Sequence, residues 1–348
     1  MMDRSEQHEL FEAGKLLDAR GDLIQVGWSR QPLLDCNLED AYFYRFRPLQ
    51  GLRIKRWDYY GVTTPSFYLS FTLAHLGYAG QVFAYLVDFA KREHIEQTVT
   101  IPFGKGIFLP RNSTEGEGYY ENKQLKVKFQ TGEKERRLHI DWPKFGGGGL
   151  KANLELFLPQ NHESMVIVIP FTRNRFYYNR KVNCIALEGW FEYKGERHAI
   201  SRGESLGNLD WGRGIWPYHS FWVWASASGF LSDGRTIGLN LGFGFGDPSR
   251  ATENAIILDG RVNKLGAVQF DYSSSNFMLP WKMTTPDRRL DLTFEPFLER
   301  VAKTQLLLIA SEVHQIFGRY SGSVVADDGE KIRLDGMIGF AEEHYARW

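Results

Sequence analysis

Residues 203–260, GESLGNLDWGRGIWPYHSFWVWASASGFLSDGRTIGLNLGFGFGDPSRATENAIILDG, combine glycine-rich turns, clustered tryptophans and ionisable side chains. Strict alternation runs through them. Ser220, Trp222, Trp224, Ser226 and Ser228 fall on one face of a strand, and Phe221, Val223, Ala225 and Ala227 fall on the other. After the turn Ser232-Asp233-Gly234, a second strand sets Leu239, Leu241, Phe243 and Phe245 against Gly238, Asn240, Gly242 and Gly244. A face of glycines beside two indoles leaves volume that backbone does not fill, which points to a lined cavity. The same glycines also fit close strand packing or barrel-corner bends.

Outward from this stretch the chain reads as strand after strand. Residues 52–60, 66–76, 80–89, 125–130, 136–142, 152–158, 165–171 and 176–193 are rich in β-branched and aromatic residues, and Gly, Pro, Asn or charged turns bound them. Only residues 5–19 predict a helix, with Leu10, Phe11, Leu16 and Leu17 gathered on one side. Such a helix would cover a sheet edge or plug a barrel end.

An internal repeat organises the whole. Arg56-Trp57-Asp58 before the strand from Ser66 matches Leu209-Asp210-Trp211 before the strand from Ser220. Trp142-Pro143 with Leu154–Phe157 matches Trp281-Lys282 with Leu290–Phe294, and Met165–Pro170 with Phe176–Arg180 matches Gln305–Ala310 with Ile316–Tyr320. The predicted architecture is therefore all-β, two antiparallel lipocalin-like barrels or barrel-like sandwiches related by duplication. Its expected segments are 1–21 (helical), 22–204 (first barrel) and 205–348 (second barrel).

Composition narrows the function. With 42 basic and 42 acidic residues, the 348-residue chain carries no net charge, which argues against a nucleic-acid surface. No apolar run reaches the length of a membrane span, and no secretory signal opens the chain. Two distant cysteines, Cys36 and Cys184, fit reduced thiols in a cytoplasmic protein. Histidines and cysteines lack metal-ligand spacing, so neither a metal nor a cofactor is expected. Oligomeric state is left open.

Several strings are weighed and set aside. Gly203-Glu204-Ser205-Leu206-Gly207 fits the nucleophile-elbow pattern without the strand-to-helix turn that chemistry needs. The runs Gly146–Gly149 and Gly242–Gly246 lack the following helix of a phosphate-binding loop.

At Gly207–Tyr218, Asn240–Gly244, Thr252–Asn254, Leu292–Phe297 and Gln315–Gly322 the chain resembles the domain of unknown function 2804 family, from about residue 22 to the C-terminus. Its layout is also similar to two-barrel lipocalin-like proteins of the carotenoid hydratase and tocopherol cyclase type. That resemblance implies apolar ligands in a barrel mouth or between barrels.

The expected function is binding of an apolar or amphipathic small molecule, lipid- or terpenoid-like, in a tryptophan-lined barrel cavity. Trp216, Trp222, Trp224, Asn240, Asp291 and Glu295 are the candidate ligand contacts. A second reading is a cofactor-independent hydratase, isomerase or cyclase in which Asp210 or Glu253 moves a proton while Arg213 or His219 steadies charge. A third is a carbohydrate-active protein with paired carboxylates. Asp210 and Arg213, three apart in a glycine-rich corner, equally fit a structural ion pair. Glu295 and Arg300 are expected to pair at another corner, and Glu342 and Glu343 to lie at the surface.

Overall fold

The computed structural model describes residues 7–306 and 309–348. In chain order its strands are β1 (Gly14–Lys15), β2 (Gly27–Ser29), β3 (Leu34–Asp35), β4 (Lys55–Thr63), β5 (Phe67–His75), β6 (Ala79–Asp88), β7 (Glu93–Pro102), β8 (Gly116–Glu121), β9 (Lys126–Thr131), β10 (Glu135–Trp142), β11 (Leu150–Phe157), β12 (Met165–Thr172), β13 (Arg175–Tyr193) and β14 (Glu196–Ile200). They continue with β15 (Leu206–Ile215), β16 (His219–Phe230), β17 (Thr236–Phe243), β18 (Ala255–Leu258), β19 (Arg261–Lys264), β20 (Gln269–Asp271), β21 (Trp281–Thr284), β22 (Leu290–Leu306), β23 (Ile309–Val325) and β24 (Lys331–Arg347).

Apart from the short parallel pair β1–β3, the strands form two curled antiparallel half-barrel sheets, with β2, β12 and β14 pairing at the side of the first. The first runs β7-β6-β5-β4-β15-β13-β11-β10-β9-β8, and the second runs β19-β18-β17-β16-β24-β23-β22-β21-β20. β15, which follows the 204/205 boundary read from the repeat, hydrogen-bonds within the first sheet between β13 and β4. The chain therefore changes sheets between Ile215 and His219.

Each sheet closes on its own apolar core. Leu69, Phe71, Leu138, Leu154, Leu187 and Trp211 belong to the first, and Val223, Leu239, Leu241, Trp281, Leu292 and Phe294 to the second. Alternation sends the opposite strand faces towards the other half, where Trp28, Tyr177, Trp216 and Phe245 form one aromatic seam and Tyr59, Tyr68, Trp224 and Phe340 another.

Two expectations change. The N-terminal helix does not form in its described part: from residue 7 the chain runs extended, His8 N–H bonding the Arg250 carbonyl and β1 pairing parallel with β3. Leu10, Leu16 and Leu17 are buried against the first core in this extended form, so tertiary burial prevails over a short amphipathic period. Helical structure among the described residues is limited to short 3₁₀ turns. One of these, Phe145–Gly147, uses the glycine run, with Gly146, Gly147 and Gly149 all at positive φ.

The glycine face of β17 is also closely packed in part. A Cβ on Gly238 would lie 2.7 Å from Asn183 Cβ, and one on Gly242 would lie 2.5 Å from Glu253 Oε1. At the first position a bulge of β13, with Cys184 at φ +58°, presses into the second sheet. There Asn183 Nδ2 donates to Ser226 Oγ at 3.0 Å and the Cys184 N–H donates to Ser228 Oγ at 3.0 Å.

Candidate functional site

A cavity of about 460 Å³ lies between the two sheets, not inside either half. The inward faces are filled by Leu, Ile, Val and Phe, so the space opens where curled faces meet imperfectly.

Strand register builds both walls. In the first sheet Lys181, Asp210, Tyr59, Thr72, Phe83 and Thr98 stand opposite one another across β13, β15, β4, β5, β6 and β7, forming one continuous row. In the second, Trp224, Glu342, Gln315 and Arg300 form a row across β16, β24, β23 and β22, with Trp222, His344, Val313 and Ala302 beside it. All these side chains line the cavity.

Lys181 joins the two walls. Its Nζ is 3.2 Å from Asp210 Oδ2, 3.7 Å from Glu253 Oε2, and 3.8 Å from the Trp224 ring centroid. Asp210 also accepts from Asn179 Nδ2 at 2.6 Å. Trp224 Nε1 donates to Asn240 Oδ1 at 2.8 Å, and Asn240 Nδ2 donates to the Glu253 carbonyl at 2.7 Å. Burial raises the Glu253 carboxyl above the usual carboxylate range, against the pull of Lys181.

Glu342 is the second focus. Trp222 Nε1 donates to its Oε1 at 3.2 Å and Gln315 Nε2 to its Oε2 at 3.0 Å. No ion pair reaches it among the described residues; burial pushes its carboxyl up to about 7, so it exchanges protons near neutrality. Next to it, His344 Nε2 shares a 2.8 Å hydrogen bond with Ser311 Oγ. Burial drives that imidazole down to about 3, which keeps it neutral.

Of the residues singled out from sequence, Asp210, Glu253, Trp222 and Trp224 meet at this cavity, with Asn240 directly behind them. The others stand elsewhere. Arg213 lies on the opposite face of β15 from Asp210 and is buried in the first core, where Nη2 pairs with Asp58 Oδ1 at 2.9 Å. An odd separation on a strand puts two side chains on opposite faces, so no Asp210–Arg213 corner forms. His219 is exposed, its ring against Tyr218. Trp216 is fully buried behind the wall, edge-on to Trp57 at 5.3 Å.

Asp291 and Glu295 face solvent because Leu290, Leu292 and Phe294 take the core side of β22. A bulge between Pro296 and Leu298 then reverses the parity. That reversal turns Arg300 towards the first sheet, so it grips Glu96 instead of Glu295.

Glu342 and Glu343, expected at the surface, are both buried, Glu343 accepting from the Tyr272 hydroxyl. The alternation Phe340, Glu342, His344, Ala346, Trp348 was the available signal for Glu342. Lys181 had none, since only the β13–β15 register brings it to Asp210. No described group of His, Cys, Asp and Glu has the geometry of a metal site. No helix among the described residues is long and apolar enough to cross a membrane.

The domain of unknown function (DUF2804) family model matches residues 7–348, and the chain belongs to that family. A sequence comparison with curated proteins gives no match. Among solved structures the fold is similar to CghA, solved with Sch210972 (8% identity, TM-score 0.57, 84% of this chain and 88% of that one). It is also similar to kievitone hydratase from Nectria haematococca (13%, 0.52, 84% and 88%) and to an AttH protein from Nitrosomonas europaea (13%, 0.51, 87% and 96%). At these identities the likeness shows the fold.

Proposed function

We propose that this member of the DUF2804 family takes an amphipathic small molecule into the cavity between its sheets and acts on it by side-chain proton transfer, as a hydratase, isomerase or cyclase. One observation carries the reading: the Glu342 carboxyl lines an aromatic-walled cavity and is raised by burial to about 7. A carrier for apolar cargo needs a dry, uncharged cavity, whereas this one spends three buried ionisable side chains, Lys181, Asp210 and Glu342, on its walls, with the half-buried Glu253 beside them.

In this reading the protonated Glu342 delivers a proton to the substrate. Asp210 on the facing sheet, or Glu253 from the same half as Glu342, receives the proton that the substrate or an attacking water gives up. Lys181 positions both of these carboxylates. Trp57, Trp222 and Trp224 supply the apolar surface that excludes bulk water. The naming of one fold neighbour as a hydratase and the presence of Sch210972 in another accord with this use of the fold. Two buried free thiols suit a cytoplasmic setting.

Native mass spectrometry of gently purified protein, followed by solvent extraction, identifies the bound molecule. That molecule is then incubated with wild type and with Glu342→Gln. The expected result is conversion by wild type and a loss of at least 100-fold in kcat for the variant, within the usual range for a general acid. A tightly bound molecule that neither protein alters would assign the cavity to carriage instead.

A further inference from the structure

The charges around the cavity do not balance. Four carboxylates line it, Glu96, Asp210, Glu253 and Glu342, together with three cations, Lys181, Arg300 and Lys303. Two of those cations are committed elsewhere: Arg300 makes a two-bond ion pair with Glu96, and Lys303 pairs with Glu312 at 2.8 Å. Lys181 is therefore shared between Asp210 and Glu253, and Glu342 has no cation within ion-pair distance among the described residues. Three carboxyl groups answer to one ammonium, and burial disposes Glu253 and Glu342 to hold a proton until a cation takes its place.

Aromatic side chains line the walls beside these carboxylates, and ring faces attract cations through their quadrupoles. Lys181 already shows the arrangement: its ammonium lies over the Trp224 indole with a carboxylate on either side. Trp57, Tyr177 and Trp222 offer further ring surface in the same space. Burial holds the Tyr177 hydroxyl un-ionised, and the charges of Asp210, Glu253 and Glu342 add to that effect. The Thr72 hydroxyl, 2% exposed and on the cavity wall, has no hydrogen-bond partner among the described residues and can accept one.

We propose that the molecule held in this cavity is an amphipathic amine, its ammonium set between the ring faces of Trp57 and Trp222 and neutralised by the Asp210, Glu253 and Glu342 carboxylates. The proposal rests on the reading of the cavity as a small-molecule site and adds the charge of its occupant. A carboxylate or phosphate ligand would meet an acidic wall, and a neutral lipid would leave the imbalance in place.

The test uses two probes of nearly equal shape, 2-naphthylmethylamine and 2-naphthylmethanol, titrated into the full-length protein at pH 8 by calorimetry. The amine is expected to bind at least tenfold more tightly than the alcohol, with the preference shrinking in Glu342→Gln and weakening as salt rises. Equal or tighter binding of the alcohol overturns the amine while leaving a small-molecule site intact. Binding of neither probe at millimolar concentration overturns the small-molecule reading and the amine with it. Should Glu342→Gln fail to fold, the salt dependence in wild type decides: an amine preference unchanged between 20 mM and 500 mM salt also overturns the proposal.

Discussion

Arg300 of the second sheet holds Glu96 of the first through two hydrogen bonds, Nε to Oε2 and Nη2 to Oε1, each 2.9 Å long. The guanidinium also lies over the Tyr85 ring, 4.1 Å from its centroid, and Nη1 donates to Gln315 Oε1 at 3.3 Å. One side chain thus closes an edge of the cavity and ties the two halves together. Glu96→Ala leaves a buried arginine without its anion, at a cost of about 3–5 kcal/mol. Urea unfolding should show that loss, and Arg300→Met combined with Glu96→Leu should recover much of it. An unchanged midpoint in the single variant would count against the bridge.

Glu342 makes stability depend on pH. Its carboxyl moves from 4.5 to about 7 on folding, so the unfolded chain releases this proton first. The group's contribution is therefore undiminished below pH 4.5, declines as pH rises through about 7, and is level above that. The groups facing it are Lys181 and Asp210 from the first sheet, Arg300 and His344 from its own, and Tyr68 and Tyr85 across the seam. Glu342→Gln lacks the decline, so wild type should lose about 3 kcal/mol relative to the variant between pH 4 and pH 8. Parallel stability profiles for the two proteins would exclude the raised carboxyl.

Asp58 and Asp210 should separate cleanly. Asp58 is the partner of buried Arg213, so Asp58→Asn strands a guanidinium in the first core and should lower stability by about 3–5 kcal/mol. Asp210→Asn keeps the hydrogen bond from Asn179 and leaves Lys181 paired with Glu253, so its loss should be smaller, about 1–2 kcal/mol. Thermal melts of the two variants side by side decide this. The reverse order would restore Asp210 as the partner of Arg213.

The indole of Trp57 lies against the bare backbone of Gly212. A Cβ there would be 2.4 Å from Trp57 Cε2, so Gly212→Ala must push the ring towards the cavity. A destabilisation of about 1–3 kcal/mol is expected, with a shift in tryptophan emission and weaker probe binding. A variant with wild-type emission and affinity would show that the wall is more compliant than its packing indicates.

Alternation and turn chemistry were enough to read the all-β architecture from sequence, because a strand's faces follow from a period of two whatever the partner strand is. The same reading put Trp222 and Trp224 on one face, named Glu253 as a candidate acid, and left the glycine face of β17 either lining a cavity or packed closely against something. It could not say what. Asn183 and Glu253 fill that face only because a bulge in β13 and the turn after β17 deliver them.

Register decided the rest. Lys181 opposes Asp210, Gln315 opposes Glu342, and Arg300 opposes Gln315 through strand pairings between residues up to 29 positions apart, and no local pattern encodes which residues meet. A single extra residue between Pro296 and Leu298 turned Arg300 from the face shared with Phe294 to the cavity. Local sequence thus set which faces are apolar, while the docking of two filled half-barrels set where the space lies. That docking also raised Glu342 towards neutrality, because a carboxyl's proton affinity depends on the water and charges around it, and only the assembled sheets remove the water.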